Sequence, residues 1–319
     1  MQLNTGIYSH WLNHNIVMVS SEMTEIDDEV SKRLARRDWK ISHVEKDFNK
    51  AFEILRKGEA SVLVIDDTVE SPASLVLRNQ LNDPIALLTP TIVISPDHQK
   101  DKNVLKEVGI PEIIDYPMNP TSFTESLEFL LRRWSSDSFK KVLAARTLLV
   151  HGKKKLGLQA LSQLIQNKEL MPLVTPPLAQ SIRNQSDSKV IEKLLLNGIK
   201  EFPRNIGIIL STIDFYINMA MPETAMKIVE AAKKNLGNPI LMIPEQVQAL
   251  LMLNDIKACI PLLETMVEAN YMPERAKDFL SRCYYAEGQV GGFINAIGHK
   301  RAKYNEFHDV WHKKSGESA

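Results

Sequence analysis

The sequence has few cysteines, no excess of charge and no long apolar run. Its two cysteines, Cys259 and Cys283, are too few for a disulfide framework and lack metal-ligand spacing. Both lie in helical patterns, so we expect buried thiols in a reducing compartment. Lys and Arg together number 39, as do Asp and Glu, which gives zero formal net charge. A nucleic-acid binder usually carries a basic excess, so nucleic acid is not the expected partner.

The chain also lacks the usual signals for a membrane or for export. No apolar stretch approaches the ~18 residues that a membrane-spanning helix needs. Residues 1–15 contain neither an apolar core nor a cleavage pattern of a signal peptide. We therefore expect a cytoplasmic protein that does not insert into membranes.

The common catalytic motifs are missing as well. The sequence contains no P-loop, no GxGxxG after a strand and no GxSxG elbow. His308 and His312 stand four residues apart and share a helical face, but no third metal ligand accompanies them. We therefore expect no catalytic residues, no metal site and no cofactor, and so no enzyme.

What the first part does contain is an alternation of strands and helices. Five short apolar runs, at 16–19, 39–44, 62–65, 91–94 and 113–116, alternate with helical patterns at 25–37, 47–57, 72–81, 100–108 and 123–134. Repeated βα units predict a five-stranded, doubly wound parallel sheet with helices on both faces. In such sheets the chemistry lies beyond the carboxyl ends of the strands. The residues predicted there are Ser20, Ser21, Asp66, Ser95 and Tyr116.

The rest of the chain has helical patterns only. Ten segments alternate with short turns, at 137–152, 154–167, 176–184, 188–201, 205–219, 222–235, 241–253, 255–269, 273–286 and 289–313. Small or apolar residues recur in alternate segments at spacings of 31, 34, 33 and 34, namely Ala160, Ile191, Ala225, Ala258 and Gly292. A period near 34 with two helices per unit is typical of a helical solenoid. The predicted fold class is therefore α/β plus all-α, divided at a polar stretch into domains 1–135 and 136–319.

The first 134 residues or so resemble the receiver domain of bacterial response regulators. In that family an aspartate that accepts a phosphoryl group ends the third strand, where this chain has Asp66. A threonine or serine ends the fourth strand, matched by Ser95. An aromatic residue in the fifth strand and a Lys-Pro pair follow, matched by Tyr116 and by Asn119-Pro120.

The resemblance breaks down at the charged positions. Family members carry an acidic pair after the first strand, where this chain has Ser20-Ser21 followed by Glu22. Phosphorylation of the aspartate requires Mg²⁺, which prefers carboxylate ligands. Glu22 and Asp67 are the substitutes at hand, and Asn119 cannot supply the charge of the family's lysine. We therefore expect a degenerate pseudo-receiver in which Asp66 is a structural hydrogen-bond acceptor. A phosphorylated Asp66 with Mg²⁺ as cofactor stays the alternative.

Residues from about 140 to 314 look like degenerate tetratricopeptide repeats. The best unit covers 205–239, with Tyr216, Ala225 and Ala232 at the positions where the family has an aromatic and two small residues. The two resemblances together imply a non-catalytic bacterial signalling adaptor in two-component signalling. Its expected partners are proteins, such as a sensor kinase, another signalling protein or a second copy of the chain. Two rival hypotheses remain: a phosphorylation-controlled response regulator, and an enzyme or nucleotide-binding module that uses the pocket at the ends of the strands.

Overall fold

The structure is a computed structural model that describes residues 12–20, 27–66, 80–81, 83–95, 112–115, 118–182, 188–236, 239–269 and 271–289. Five strands lie in its first part: β1 (Asn15–Val19), β2 (Lys40–Glu45), β3 (Val62–Asp66), β4 (Thr91–Ser95) and β5 (Glu112–Asp115). All neighbouring strands pair in parallel, in the order β2-β1-β3-β4-β5. This is the flavodoxin-like order of a doubly wound sheet, and it confirms the predicted fold class.

Helices cover both faces of the sheet. They are α1 (Asp28–Ala35), α2 (Phe48–Arg56), α3 (Pro84–Leu87) and α4 (Pro120–Trp134). Alternate side chains of the central strands pack against α1 and α4 on one face and against α2 and α3 on the other. Both faces are therefore apolar, which is why these strands read as continuous hydrophobic runs. Of the two further helices predicted, the one over 100–108 and most of the one over 72–81 fall outside the described residues.

The second part consists of helices. They are α5 (Asp137–Val150), α6 (Lys154–Leu164), α7 (Met171–Ile182), α8 (Ser188–Glu201), α9 (Ile206–Asn218), α10 (Pro222–Lys233), α11 (Ile243–Met252), α12 (Ile256–Glu268) and α13 (Pro273–Ala286). A short 3-10 helix, Pro239–Met242, precedes α11. The predicted start of α7 at residue 176 is wrong, because the helix begins at Met171 and continues through Pro176 and Pro177. Both prolines are buried, so apolar packing offsets the backbone hydrogen bonds that they cannot donate. The segment predicted at 289–313 lies almost wholly outside the described residues.

A 34-residue repeat is visible in the backbone of the turns that join the paired helices. Left-handed residues occur at Gly152 (φ 71°), Ala220 (φ 54°), Asn254 (φ 60°) and Gly288 (φ 70°). Their spacings are 68, 34 and 34 residues, and the missing position, 186, lies outside the described residues. A left-handed residue allows the last carbonyl groups of a helix to be satisfied, so the four described turns end their helices in the same way.

Buried positions follow the same period in both helices of a unit. In the second helices one buried series is Gly157, Ile191, Ala225 and Cys259, and one turn later come Leu161, Leu195, Val229 and Leu263. In the first helices the buried series is Ala145, Ala179, Ile213, Val247 and Ser281. The series predicted from the sequence named Ala160 and Ala258 where the structure has Gly157 and Cys259. Ala160 and Ala258 are only partly buried. Both cysteines are buried free thiols, as predicted.

The two parts share one apolar core across residue 135. Strand residues such as Ile92 belong to the same buried cluster as Val142 and Leu161 of α5 and α6. The Trp134 and Phe139 rings meet edge to face with centroids 5.1 Å apart. Within the described parts of the chain, no helix combines the length and the apolar character that crossing a membrane would require.

Candidate functional site at the carboxyl ends of the strands

Polar residues gather where the parallel strands end. Ser20 follows β1, Asp66 is the last residue of β3, and Ser95 and Asp115 end β4 and β5. The register aligns Asp66 with Ile94 and pairs Ser95 with Asp115. The sheet therefore brings the predicted residues Ser20, Asp66 and Ser95 to one edge.

The centre of this edge is a hydrogen bond between Ser20 and Asp66. The Ser20 hydroxyl donates to Asp66 Oδ2 over 2.8 Å, and both side chains are almost fully buried, at 0% and 1% exposure. The Ser20 backbone N–H donates to the Glu45 carbonyl, which fixes the residue that follows β1. A buried carboxylate is costly unless it accepts hydrogen bonds, and the Ser20 hydroxyl supplies one of them.

Asn119 caps the N-terminus of a helix. Its Oδ1 accepts from the Thr121 and Ser122 backbone N–H groups at 2.9 and 3.3 Å, so it is the N-cap of α4, with Pro120 in the first turn. The side chain is also exposed to solvent. Asparagine followed by proline is a common start of a helix, and the sequence carried that signal.

The described residues do not fit a magnesium site by themselves. Mg²⁺ prefers several oxygen ligands in octahedral geometry, and β3 provides one buried carboxylate, Asp66, which already accepts from a serine. No group of three or more His, Cys, Asp or Glu suited to a metal occurs among the residues that the structure describes. The other predicted site residues, Ser21, Glu22, Asp67 and Tyr116, lie outside the described residues.

A buried arginine at the opposite edge of the sheet is a feature that the sequence analysis missed. Arg146 of α5 donates through Nε to Thr89 Oγ1 at 2.8 Å and through Nη2 to the Ala60 carbonyl at 3.2 Å. Burial lowers the pKa of Arg146 to about 10, and the nearby Asp83 carboxylate partly offsets this effect. Ala60 and Thr89 precede β3 and β4, so the arginine joins the helices to the amino ends of the strands. In the sequence, the sign of this buried arginine was a single charged residue inside the otherwise mostly apolar run 142–150.

The turns of the helical part carry an exposed apolar edge. Consecutive helices run antiparallel, so the short turns after α5, α9 and α11 and the start of α8 fall on the same edge of the stack. Seven of the nine strongly exposed large apolar side chains of the described residues lie at the end of α11, in the turns after α9 and α11, or in the first turn of α6 or α8: Leu156, Val190, Met219, Met221, Leu251, Met252 and Leu253. We call these seven residues the turn edge. Apolar patches of this kind mark interaction sites, and methionine adapts to many partners.

Comparisons with known proteins give no family assignment. A scan against protein-family models finds no match, and searches of curated proteins and of solved structures also find no match.

Proposed function

We propose that the chain is a non-catalytic signalling adaptor of the bacterial cytoplasm, in which a degenerate receiver domain and tetratricopeptide-like repeats hold protein partners. The single observation that carries the proposal is the buried hydrogen bond from Ser20 to Asp66. A receiver needs carboxylates there to hold Mg²⁺ and a lysine to meet the phosphoryl group. Among the described residues, the Ser20 hydroxyl donates to this aspartate, and Asn119, at the position of the family's lysine, caps a helix.

The helical part supports the protein-binding half of the proposal. Its units repeat every 34 residues with two helices each, which is the period of tetratricopeptide repeats. Such solenoids present long surfaces to other proteins because each unit contacts only its neighbours. The turn edge adds exposed apolar surface. The partners we propose are a sensor kinase, another signalling protein or a second copy of the chain.

Phosphorylation of the intact protein tests the receiver half. We expect no phosphoryl adduct by intact mass after incubation with Mg²⁺ and acetyl phosphate, in the wild type or in Asp66→Asn. A stoichiometric adduct in the wild type that Asp66→Asn abolishes would instead establish the alternative, a phosphorylation-controlled response regulator. That alternative draws support from the strand order and from Asp66 at the end of β3.

Two variants test the binding half. We expect Met219→Ser combined with Leu253→Ser to reduce co-purification of partner proteins from the host, because both changes remove apolar contact surface from the turn edge. Phe129→Ser is the matched control, since Phe129 is 59% exposed on α4, away from the turn edge. Identical captured proteins for wild type, double variant and control would contradict a role for the turn edge.

A further inference from the structure

One end of the turn edge carries a run of lysines. The short turn between α5 and α6 and the start of α6 have the sequence HGKKKL over residues 151–156, and all six residues are exposed. We call Lys153, Lys154 and Lys155 the lysine cluster. Leu156, a member of the turn edge, follows directly and is 52% exposed. Within the described ranges, none of the three lysines forms an ion pair.

The lysine cluster is unfavourable for the helix that it begins. Lys153 is the N-cap of α6 and provides no side-chain cap, and the first turn of α6 contains no acidic residue. The N-terminus of a helix has a partial positive charge, so cations there destabilise the helix and anions stabilise it. The equivalent helices α10 and α12 follow this rule, with Glu223 in the first turn and Asp255 as N-cap. Stability therefore does not explain the cluster, and local rules of stability are most often broken at functional sites.

The neighbouring charges of the sheet do not neutralise the lysine cluster. A Cβ at Gly58 would lie 2.9 Å from Val150 Cγ1, so the loop between α2 and β3 lies against the end of α5. Lys57 and Glu59 flank this glycine, and both are exposed. Their charges are opposite in sign and cancel, so the positive charge of the three lysines remains on this part of the surface.

Further along the turn edge the exposed side chains are mainly apolar. Met219 and Met221 lie in the turn after α9, and Leu251, Met252 and Leu253 lie at the end of α11 and in the turn that follows. The edge is therefore basic at one end and apolar along the rest. A complementary surface would have acidic side chains beside apolar ones, since partners match in charge as well as in shape.

We propose that the turn edge binds protein segments in which an acidic stretch lies next to an apolar stretch. The acidic side chains contact the lysine cluster, and the apolar side chains contact Leu156 and the other members of the turn edge. Each lysine–carboxylate pair at a surface contributes little, so apolar contact provides most of the affinity and the lysines select acidic segments. This inference rests on the proposed adaptor function and adds the chemistry of the partner segment.

Fluorescence anisotropy of labelled synthetic peptides on the intact protein tests the proposal. The probe is the peptide EEEELLSLLSLL. Its twin KKKKLLSLLSLL has the opposite charge, and its twin EEEESSSSSSSS has no apolar side chains. We expect the probe to bind the wild type at least ~10-fold more tightly than either twin at low salt. Raising the salt from about 50 mM to about 500 mM should reduce its advantage over the basic twin, because salt screens exposed charges.

Two triple variants separate the lysine cluster from net charge. Replacing all three lysines of the cluster with glutamine should weaken binding of the probe by about 10-fold, because three surface pairs are lost together. Its melting temperature should not fall, since cations are removed from a helix N-terminus. The matched control replaces Lys200, Lys234 and Lys277 with glutamine. These three lysines are exposed at the opposite edge of the stack, so the control should keep the wild-type affinity.

Several outcomes would overturn the proposal. They are a wild type that does not bind the probe, equal binding of the probe and its basic twin, or equal affinity of the two triple variants for the probe. Co-sedimentation with phosphatidylglycerol vesicles in place of peptide binding would also overturn it, because the edge would then recognise a lipid surface. If Met219→Ser with Leu253→Ser loses host partners while the lysine-cluster variant keeps them and binds the probe like the wild type, the adaptor proposal stands and the acidic-segment proposal falls.

Discussion

Replacing Arg146 with methionine should destabilise the whole chain, because this arginine fastens the helical part to the sheet. Methionine keeps most of the aliphatic length of the side chain and removes the guanidinium. Thr89 Oγ1 and the Ala60 carbonyl then lose a charged donor in a buried place. Asp83 keeps its ion pair with Arg56, so no buried carboxylate is left alone.

The magnitude follows from two opposing effects. Losing hydrogen bonds from a charged donor to buried groups costs about 1.5–3 kcal/mol each, with the 3.2 Å bond to Ala60 the weaker. Against this, burial of the charge is itself unfavourable, which is why the pKa of Arg146 falls to about 10. We expect Arg146→Met to lower the free energy of unfolding by about 2 kcal/mol, and Arg146→Ala by about 4 kcal/mol because a cavity is added.

Urea unfolding at neutral pH measures both variants against a matched control. Arg132→Met changes the same residue type where the side chain is 62% exposed, so its effect should stay below about 0.5 kcal/mol. A double-mutant cycle with Thr89→Val should give a coupling of about 1 kcal/mol. The reasoning fails if Arg146→Met is no less stable than Arg132→Met, or if the cycle shows no coupling.

Two other predictions concern the helical part. Ala220→Gly should raise the free energy of unfolding by about 1 kcal/mol, because alanine is strained at φ 54°. Ala231→Gly, at an exposed position in the last turn of α10, should instead lower it by up to about 1 kcal/mol. Equal effects of the two substitutions in urea unfolding would contradict the left-handed turn. Burial and a hydrogen bond to Glu192 raise the pKa of Tyr216 to about 12. The neutral phenol therefore stabilises the folded chain fully below pH 10, and this contribution to the free energy of unfolding is lost as the pH rises through 12. Between pH 8 and pH 11, the free energy of unfolding should therefore fall by about 1 kcal/mol less in Tyr216→Phe than in the wild type. An equal fall in the two proteins would argue against the raised pKa.

The sheet was predictable because its strands carry strong local signals. Each central strand is a short β-branched run buried on both faces, and the βα connections leave few possible strand orders. The same logic placed Ser20, Asp66 and Ser95 at one edge, since parallel strands end together. The hydrogen bond between Ser20 and Asp66 could not be predicted from the sequence, because it depends on side-chain geometry rather than on position along the chain.

The features that escaped prediction depend on tertiary contacts or on unusual local chemistry. Ala220 adopts a left-handed conformation that alanine disfavours, so the turn carried no glycine to mark it. Several small residues lie close together in the second helices. The 34-residue period alone could not show that Cys259, rather than Ala258, occupies the buried repeat position. Leu81 looked like one more apolar residue of a sheet helix, and only the folded chain shows that it packs between α7 and α9.

The helices are attached to the amino ends of β3 and β4, and this attachment leaves the carboxyl ends of the strands on the other side of the sheet. Arg146 meets the residues that open these strands, whereas Asp66 closes one of them at the far side. A five-residue strand spans about 17 Å, so the Arg146 contacts and Asp66 lie at opposite ends of β3, roughly that distance apart. Under the adaptor function that we propose, a partner at the carboxyl ends of the strands would therefore lie at the opposite end of the sheet from the attachment of the helices.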